Sequence, residues 1–251
     1  MIPTYNELAT IERAVRRSLD ASPDLDVLVV DDGSPDGTGD LADKLAADDA
    51  RVHVLHRPGK GGLGPAYRAG FAWGLERGYT VLCEMDADLS HDPADLPRLI
   101  GALDGADLAI GSRYVPGGGV VNWPAHRLAV SRLGNRYVHA LTALPVVDAT
   151  AGFRAFRAEV LLALDLATVT SDGYAFQLEM ALRTWRAGFR IVELPITFTE
   201  RREGASKFTR SIVVEAFWRT ARWGLAGPRH PSGVHPASIA TPRVVPGRAQ
   251  D

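Results

Sequence analysis

Short β-rich runs alternate with segments of helical length and period, and this alternation constrains the fold more than any other feature of the chain. Asp26–Val30 (DVLVV), Val52–His56 (VHVLH), Thr80–Met85 (TVLCEM) and Asp107–Ile110 (DLAI) read as strands, the first a buried-strand run. Leu8, Ile11, Val15 and Leu19 recur on one helix face, with Thr4 and Glu7 spaced as a capping box ahead of them. Leu41–Ala47, Ala66–Arg77 and Pro93–Leu103 fill the next gaps with helical patterns. That order predicts right-handed βαβ units, hence an α/β domain whose mainly parallel sheet carries helices on both faces.

The opening is short for this plan. Only Met1 and Ile2 precede Pro3, against about five residues in an ordinary strand. The helix expected over Glu7–Asp20 therefore has almost no strand feeding it. A truncated first strand is expected, with the full chain or its relatives starting several residues earlier.

From about Val115 the pattern changes. Gly117-Gly118-Gly119 reads as a flexible loop, and His126–Leu144 as a long basic amphipathic helix carrying Arg127, Arg132 and Arg136. A loop (Val147–Phe153), two helical segments (Ala158–Leu164 and Asp172–Ala187), a strand (Arg190–Leu194) and a last helix over 207–225 follow. These complete a single domain over 1–227. Pro228–Asp251 holds five prolines in 24 residues with little apolar content, the composition of a disordered tail.

Composition narrows the class. Hydrophobic residues at 46% and charged residues at 23% are ordinary globular usage and exclude wholesale disorder. A formal charge of −2 gives no global electrostatic reason to expect nucleic acid. Cys83 is the single cysteine, so neither an intrachain disulfide nor a multi-cysteine metal site is possible. The first residues lack the basic-then-apolar pattern of a secretory leader. The most apolar window, 211–227, is interrupted by Glu215, Arg219 and Arg222, which leaves no membrane span. The chain is expected to be soluble or to lie on a membrane surface.

The sharpest chemical feature is Met85-Asp86-Ala87-Asp88-Leu89-Ser90-His91. Asp86 and Asp88 follow the apolar run TVLCE, at the carboxyl end of a strand, where open α/β sheets bind ligands. Two such carboxylates suit a hard divalent cation already held by phosphates; taken alone they equally suit a solvated turn. Asp31-Asp32 ends DVLVV in the same way and opens Gly33-Ser34-Pro35-Asp36-Gly37-Thr38. A carboxylate there can accept from a ribose or a base N–H, or simply belong to a turn. Gly59-Lys60-Gly61-Gly62-Leu63-Gly64 matches neither the P-loop nor the dinucleotide fingerprint, so both of those classes lose support. Arg127, Arg132 and Arg136 with Ser131 form one basic cluster, and Arg201, Arg202, Lys207 and Arg210 with Ser206 another. Each reads either as a solvated helix face or as diphosphate-binding charge.

Together these segments resemble family 2 glycosyltransferases of the GT-A fold, specifically the dolichol- or polyprenol-phosphate mannose synthases. The resemblance rests on Pro3-Thr4-Tyr5-Asn6-Glu7, Val29–Thr38, Gly62–Tyr67, Met85–His91, Gly111-Ser112-Arg113-Tyr114, Ala151-Gly152-Phe153-Arg154 and Glu200–Lys207. Their order holds from residue 1 to about 225. It implies a Rossmann-like GT-A domain that moves mannose from GDP-mannose to a polyprenyl phosphate with inversion.

In that reading Pro3, Tyr5, Glu7, Val30 and Asp32 line the nucleotide-sugar pocket. Asp86 and Asp88, with backbone Ala87 beside them, hold Mg²⁺ or Mn²⁺ on the diphosphate. Arg113, Arg201 and Lys207 meet phosphate charge, and Asp88 and Arg113 carry the catalysis. Arg127, Ser131 and Arg132 match a stretch near the acceptor phosphate. Ser90 departs from relatives that place Gln there as a further metal ligand, so coordination is expected to lean more on water. The enzyme is expected on the cytoplasmic face of the membrane, with Ile212, Val213, Ala216, Phe217, Trp218 and Trp223 as an apolar docking face or a core-packed last helix. The rivals are a transferase using UDP-glucose or a glycan acceptor, and a non-catalytic nucleotide-binding protein.

Overall fold

The computed structural model describes residues 1–200 and 218–223. The elements run β1 (Ile2–Thr4), α1 (Ile11–Ala21), β2 (Val27–Asp31), α2 (Thr38–Asp48), β3 (Val52–His56), α3 (Leu63–Glu76), β4 (Val81–Glu84) and α4 (Leu96–Gly101). They continue with β5 (Leu108–Ser112), β6 (Gly119–Val121), α5 (Ala125–Thr142), β7 (Arg154–Arg157), α6 (Ala158–Ala163), α7 (Gly173–Arg186), β8 (Ile191–Pro195) and β9 (Thr197–Thr199). Residues 218–223 are helical. The remainder of the expected last helix, the tail Pro228–Asp251, and Arg201 and Lys207 lie outside the described residues.

Two ladders form the sheet. β1–β2–β3 pair in parallel. β4–β7–β5–β8 is parallel between β5 and β8, with β7 antiparallel to both its neighbours. Met1 joins the two ladders: its nitrogen donates to the Cys83 carbonyl (2.8 Å) and its carbonyl accepts from the Met85 N–H (3.1 Å). That is the bonding pattern of a parallel pair. β1 and β4 thus stand side by side, and the strand order reads β3-β2-β1-β4-β7-β5-β8. A small parallel pair, β6–β9, lies apart.

Side-chain alternation builds the layers. Val27 and Val29 join one core with Ile11 and Val15 of α1, Ala42 of α2 and Leu99 of α4. Leu28 and Val30 point the other way, onto Ala66 of α3. Leu82, Leu108, Ile110 and Phe156 face that same side with Phe71, Val160, Phe176 and Met180. Ala109 and Ala155 face back toward α1 and α4. The mainly parallel sheet with helices on both faces is therefore as expected.

Three readings are corrected. First, helix α1 begins at Ile11, not Glu7, and Thr4 is no cap: it lies in β1 and donates to Asp31 Oδ1 at 3.1 Å. The Asn6, Glu7 and Leu8 N–H groups instead bond Ser34 Oγ (3.0 Å), Thr38 Oγ1 (3.0 Å) and Asp36 Oδ2 (3.2 Å). These bonds hold residues 6–8 out of the helix, and Leu8 is exposed. Second, the loop expected over Gly117–Gly119 passes into β6. Third, β7 and β9 arise where no strand was read. β1 spans three residues, yet Ile2, Pro3 and Thr4 pair in register with Val29, Val30 and Asp31.

Candidate active site

The strands β1, β2, β4 and β5 end along one edge of the sheet, and a cleft of about 530 Å³ opens there. Such a cleft lies within the usual volume of a ligand pocket. Pro3, Tyr5 and Glu7 line it from the end of β1, Asp32 from β2, Asp86, Ala87 and Asp88 from β4, and Arg113 from β5. Arg127 reaches it from α5.

The second aspartate of the D-x-D segment is held by the residue two positions on. Asp88 accepts from the Ser90 N–H (3.0 Å) and from the Ser90 hydroxyl. Leu89 between them has φ 61°, a left-handed conformation that a branched side chain seldom adopts and that clusters at functional sites. Ser90 therefore orients Asp88. Beneath lies His91, 3% exposed and stacked on Phe153 with centroids 5.0 Å apart. Its Nδ1 has no hydrogen-bond partner and stands 4.0 Å from Asp86 Oδ2. Burial pulls its pKa down to about 4, against the pull of Asp88. At neutral pH His91 is an uncharged wall.

Asp86 and Asp88 are hard oxygen donors on a rigid turn. Among the described residues no group of three or more His, Cys, Asp or Glu is placed to hold a metal. The described residues could thus supply only part of a coordination sphere, to be completed by oxygens such as those of phosphate and water. That donor set fits Mg²⁺ or Mn²⁺.

Arg113 is committed before any ligand arrives. Its Nε and Nη2 donate to the two Asp148 oxygens at 2.7 and 2.6 Å, and Nη2 also donates to Thr150 Oγ1 at 2.9 Å. Burial disfavours its charge, but Asp148 outweighs this and raises its pKa. Arg113, expected to meet phosphate charge, lines the cleft as one member of a buried ion pair with Asp148. Arg127 lies over the Trp123 ring (4.2 Å) and pairs with Glu200 at the end of β9.

The remaining expectations divide. Val30 is 1% exposed in the core against Ala66, outside the cleft, because strand alternation turns it away from the site. Ser131 and Arg132 do not line the cleft either. Ser131 Oγ accepts from Tyr114 Oη at 2.7 Å, and Arg132 lies 5.6 Å from the centroid of the same ring. Asp32 lines the cleft, but its carboxylate already accepts from Arg57 and from the Gly61 N–H (2.8 Å). Trp223 packs against the core, whereas Trp218 is 68% exposed.

Several cleft residues were given no role by the sequence reading: Lys60, Trp123, Asp172, Gln177, Phe198 and Glu200. Most sit on segments whose only signal was a loop or a helix start. Asp172 accepts from the Gly64 N–H at 2.7 Å and from the Gly173 N–H at 2.8 Å. The glycine loop is thus bound by two carboxylates of the protein itself, Asp32 and Asp172.

The sequence profile described as "Glycosyl transferase family 2" matches residues 1–164. The chain belongs to glycosyl transferase family 2. It is 58% identical over 226 residues to the undecaprenyl-phosphate mannosyltransferase of Micrococcus luteus, covering 90% of this chain and 93% of that one. It is 56% identical over 229 residues to the polyprenol monophosphomannose synthase of Mycolicibacterium smegmatis, covering 90% and 86%. Among solved structures it resembles glucosyl-3-phosphoglycerate synthase from Mycobacterium tuberculosis with Mn²⁺, UDP and glucosyl-3-phosphoglycerate. The TM-score is 0.60 and the identity 20%, over 90% of this chain and 76% of that one. A mannosyltransferase from Pyrobaculum calidifontis in complex with GDP-Man and Mn²⁺ gives a TM-score of 0.55 at 17% identity, over 90% and 72%. The fold of this family 2 member is GT-A-like, and the chain is a glycosyltransferase.

Proposed function

We propose that this glycosyltransferase moves mannose from GDP-mannose to a polyprenyl phosphate, with inversion at the anomeric carbon. The observation that carries the reading is the cleft itself, which gathers Asp86 and Asp88 with Arg113 and Arg127 at the ligand edge of the sheet. The names of two relatives above 50% identity support the lipid-phosphate acceptor and the sugar. The GDP-Man complex of the archaeal neighbour supports the donor.

In this reading Pro3, Tyr5, Glu7 and Asp32 enclose the nucleoside side. Asp86 and Asp88 hold Mg²⁺ or Mn²⁺, which when bound neutralises diphosphate charge. Arg113, fixed by Asp148, offers its remaining guanidinium edge to the same charge, and Arg127 receives the acceptor phosphate. A phosphate monoester has a second pKa near about 6, so it arrives largely dianionic. Its oxygen attacks the anomeric carbon opposite the departing GDP, the glycosidic bond to GDP breaks, and no proton need be removed. Buried His91, its pKa pulled down to about 4, is a weak proton acceptor, which fits a site without a general base. Catalysis then rests on positioning and charge stabilisation.

The acceptor's isoprenoid tail places the enzyme at a membrane surface, on the cytoplasmic face where nucleotide sugars reside. No helix among the described residues is long and apolar enough to cross a membrane. The test is transfer of labelled mannose from GDP-mannose into organic-extractable lipid, with UDP-glucose in parallel. Mannolipid formation, lost at least about a hundredfold in Asp88→Ala, is the expected result. Label from UDP-glucose alone, or none from either, overturns the proposal.

A further inference from the structure

Trp123 lines the cleft from the segment between β6 and α5. Asn122 before it turns the chain with φ 65°, a left-handed conformation that Asn tolerates. Pro124 after it is the N-cap of α5 and keeps Trp123 out of the helix. Phe198 of β9 meets the indole at 74°, with centroids 5.5 Å apart, and meets His91 at 5.3 Å. The Thr199 N–H donates to the Ser90 carbonyl and the Glu200 N–H to the Val121 carbonyl, both at 3.0 Å. Trp123 thus belongs to the same frame as the turn that carries Asp86 and Asp88.

Arg127 needs such a frame. It lies in the first turn of α5, the end at which the helix dipole disfavours a cation. Its guanidinium Cζ stands 4.2 Å over the indole centroid, and Nη1 pairs with Glu200. These two contacts use different parts of the group. The N–H donors of a guanidinium lie in its plane and point outward, whereas an aromatic ring attracts the delocalised charge of the whole group. A phosphate can therefore replace Glu200 at the edge while the indole keeps its hold. Arg113, 5.4 Å from the same ring, does not depend on it, because Asp148 fixes its Nε and Nη2.

We propose that Trp123 is a positioning residue: it holds the Arg127 guanidinium at the cleft, so that the acceptor phosphate finds it in place on displacing Glu200. This inference rests on the acceptor role given to Arg127 above. Tryptophan is the best of the aromatic partners for a cation, and the attraction grows as water is excluded. A long side chain held in advance has less freedom to lose when its ligand arrives.

The experiment is a double-mutant cycle between Trp123 and Arg127. Wild type, Trp123→Leu, Trp123→Phe, Arg127→Ala and the Trp123→Leu, Arg127→Ala double variant are assayed with GDP-mannose and a short, water-soluble polyprenyl phosphate. Circular dichroism and binding of GDP with Mn²⁺ report that each is folded. Trp123→Leu should raise acceptor KM by about threefold to thirtyfold, with donor KM unchanged within about twofold. Trp123→Phe, which restores a weaker aromatic face, should fall between wild type and Trp123→Leu. In the Arg127→Ala background the leucine should add less than about twofold. A rise that persists undiminished in that background places the indole against the substrate itself and overturns the positioning role. A Trp123→Phe no better than Trp123→Leu overturns it too. If Arg127→Ala raises donor KM and spares the acceptor, the acceptor assignment of Arg127 fails instead, and the same cycle read on donor KM decides for Trp123. Failure of wild type to use GDP-mannose overturns the donor assignment alone, and the cycle is run on the true donor. If neither Trp123 variant folds, Trp123 is structural and the inference falls.

Discussion

Arg113 looks, as a residue type, like a ligand for phosphate. Its burial makes that role conditional on Asp148, which takes two side-chain donors and the Arg113 backbone N–H at 3.0 Å. Both side chains are almost wholly buried, at 6% and 0% exposure. Removing charge from one member strands the other in a low-dielectric interior, at about 3–5 kcal/mol. Asp148→Asn is therefore expected to lower unfolding stability by about that amount, read from urea denaturation. It should also lose activity and weaken GDP binding, because Arg113 loses its fixed orientation toward the diphosphate. Neither residue advertised the pair: they are 35 positions apart, and only Arg113 belonged to a recognisable segment. The D-x-D aspartates, by contrast, were legible because an apolar strand run fixes where its carboxyl end must be.

At the scale of elements, the helices and parallel strands with clear periodicity were legible, and the strand β7 was not. Its sequence, RAFR, carries an arginine that is fully buried. Arg154 is tolerated there because its guanidinium donates to the Ala149, Ala151 and Gln177 carbonyls at 2.8, 2.8 and 2.6 Å. No local pattern reveals such a solution. The glycine loop is another long-range case. It matches no nucleotide-binding fingerprint, yet Asp172, 108 residues from Gly64, closes it. Gly62 sits where this clasp forms, with φ 97°, and a Cβ there would lie 2.1 Å from Asp172 Oδ2. Gly62→Ala should destabilise the protein by about 1–3 kcal/mol or more through backbone strain alone. Gly59, whose Cβ would meet nothing within 4 Å, provides the control: Gly59→Ala should stay within about 0.5 kcal/mol. Equal losses in the two variants would show that neither the positive φ of Gly62 nor its approach to Asp172 constrains the loop.

On the scale of the whole molecule, the cleft lies where the two ladders of the sheet meet, at β1 and β4. On the proposed reading a nucleotide touches Tyr5 and Asp32 on one side and Asp86 and Asp88 on the other, and so spans that junction. Binding to the folded state alone raises apparent stability by about 2.7 kcal/mol at a hundredfold excess over Kd. GDP with Mn²⁺ should therefore raise Tm by several degrees, and EDTA should return it close to the apo value. GDP alone should give a small shift, since Asp86 and Asp88 then repel the diphosphate. A full shift without divalent cation would remove the metal from the donor site.

The Arg127–Glu200 pair at the cleft mouth has a consequence for how the acceptor is sensed. On the acceptor reading, a phosphate dianion does not meet a bare cation surrounded by loosely held salt; it displaces a carboxylate. One ion pair is exchanged for another, so few bulk ions are released. Screening weakens the old contact and the new one together. Acceptor KM should then move by less than about twofold across a tenfold change in ionic strength. Glu200→Gln should lower KM at low salt and introduce the steep salt dependence that the wild type lacks. With both side chains largely buried, at 21% and 22% exposure, the pair would act as an ionic-strength buffer, letting the enzyme respond to lipid phosphate rather than to the electrolyte around it.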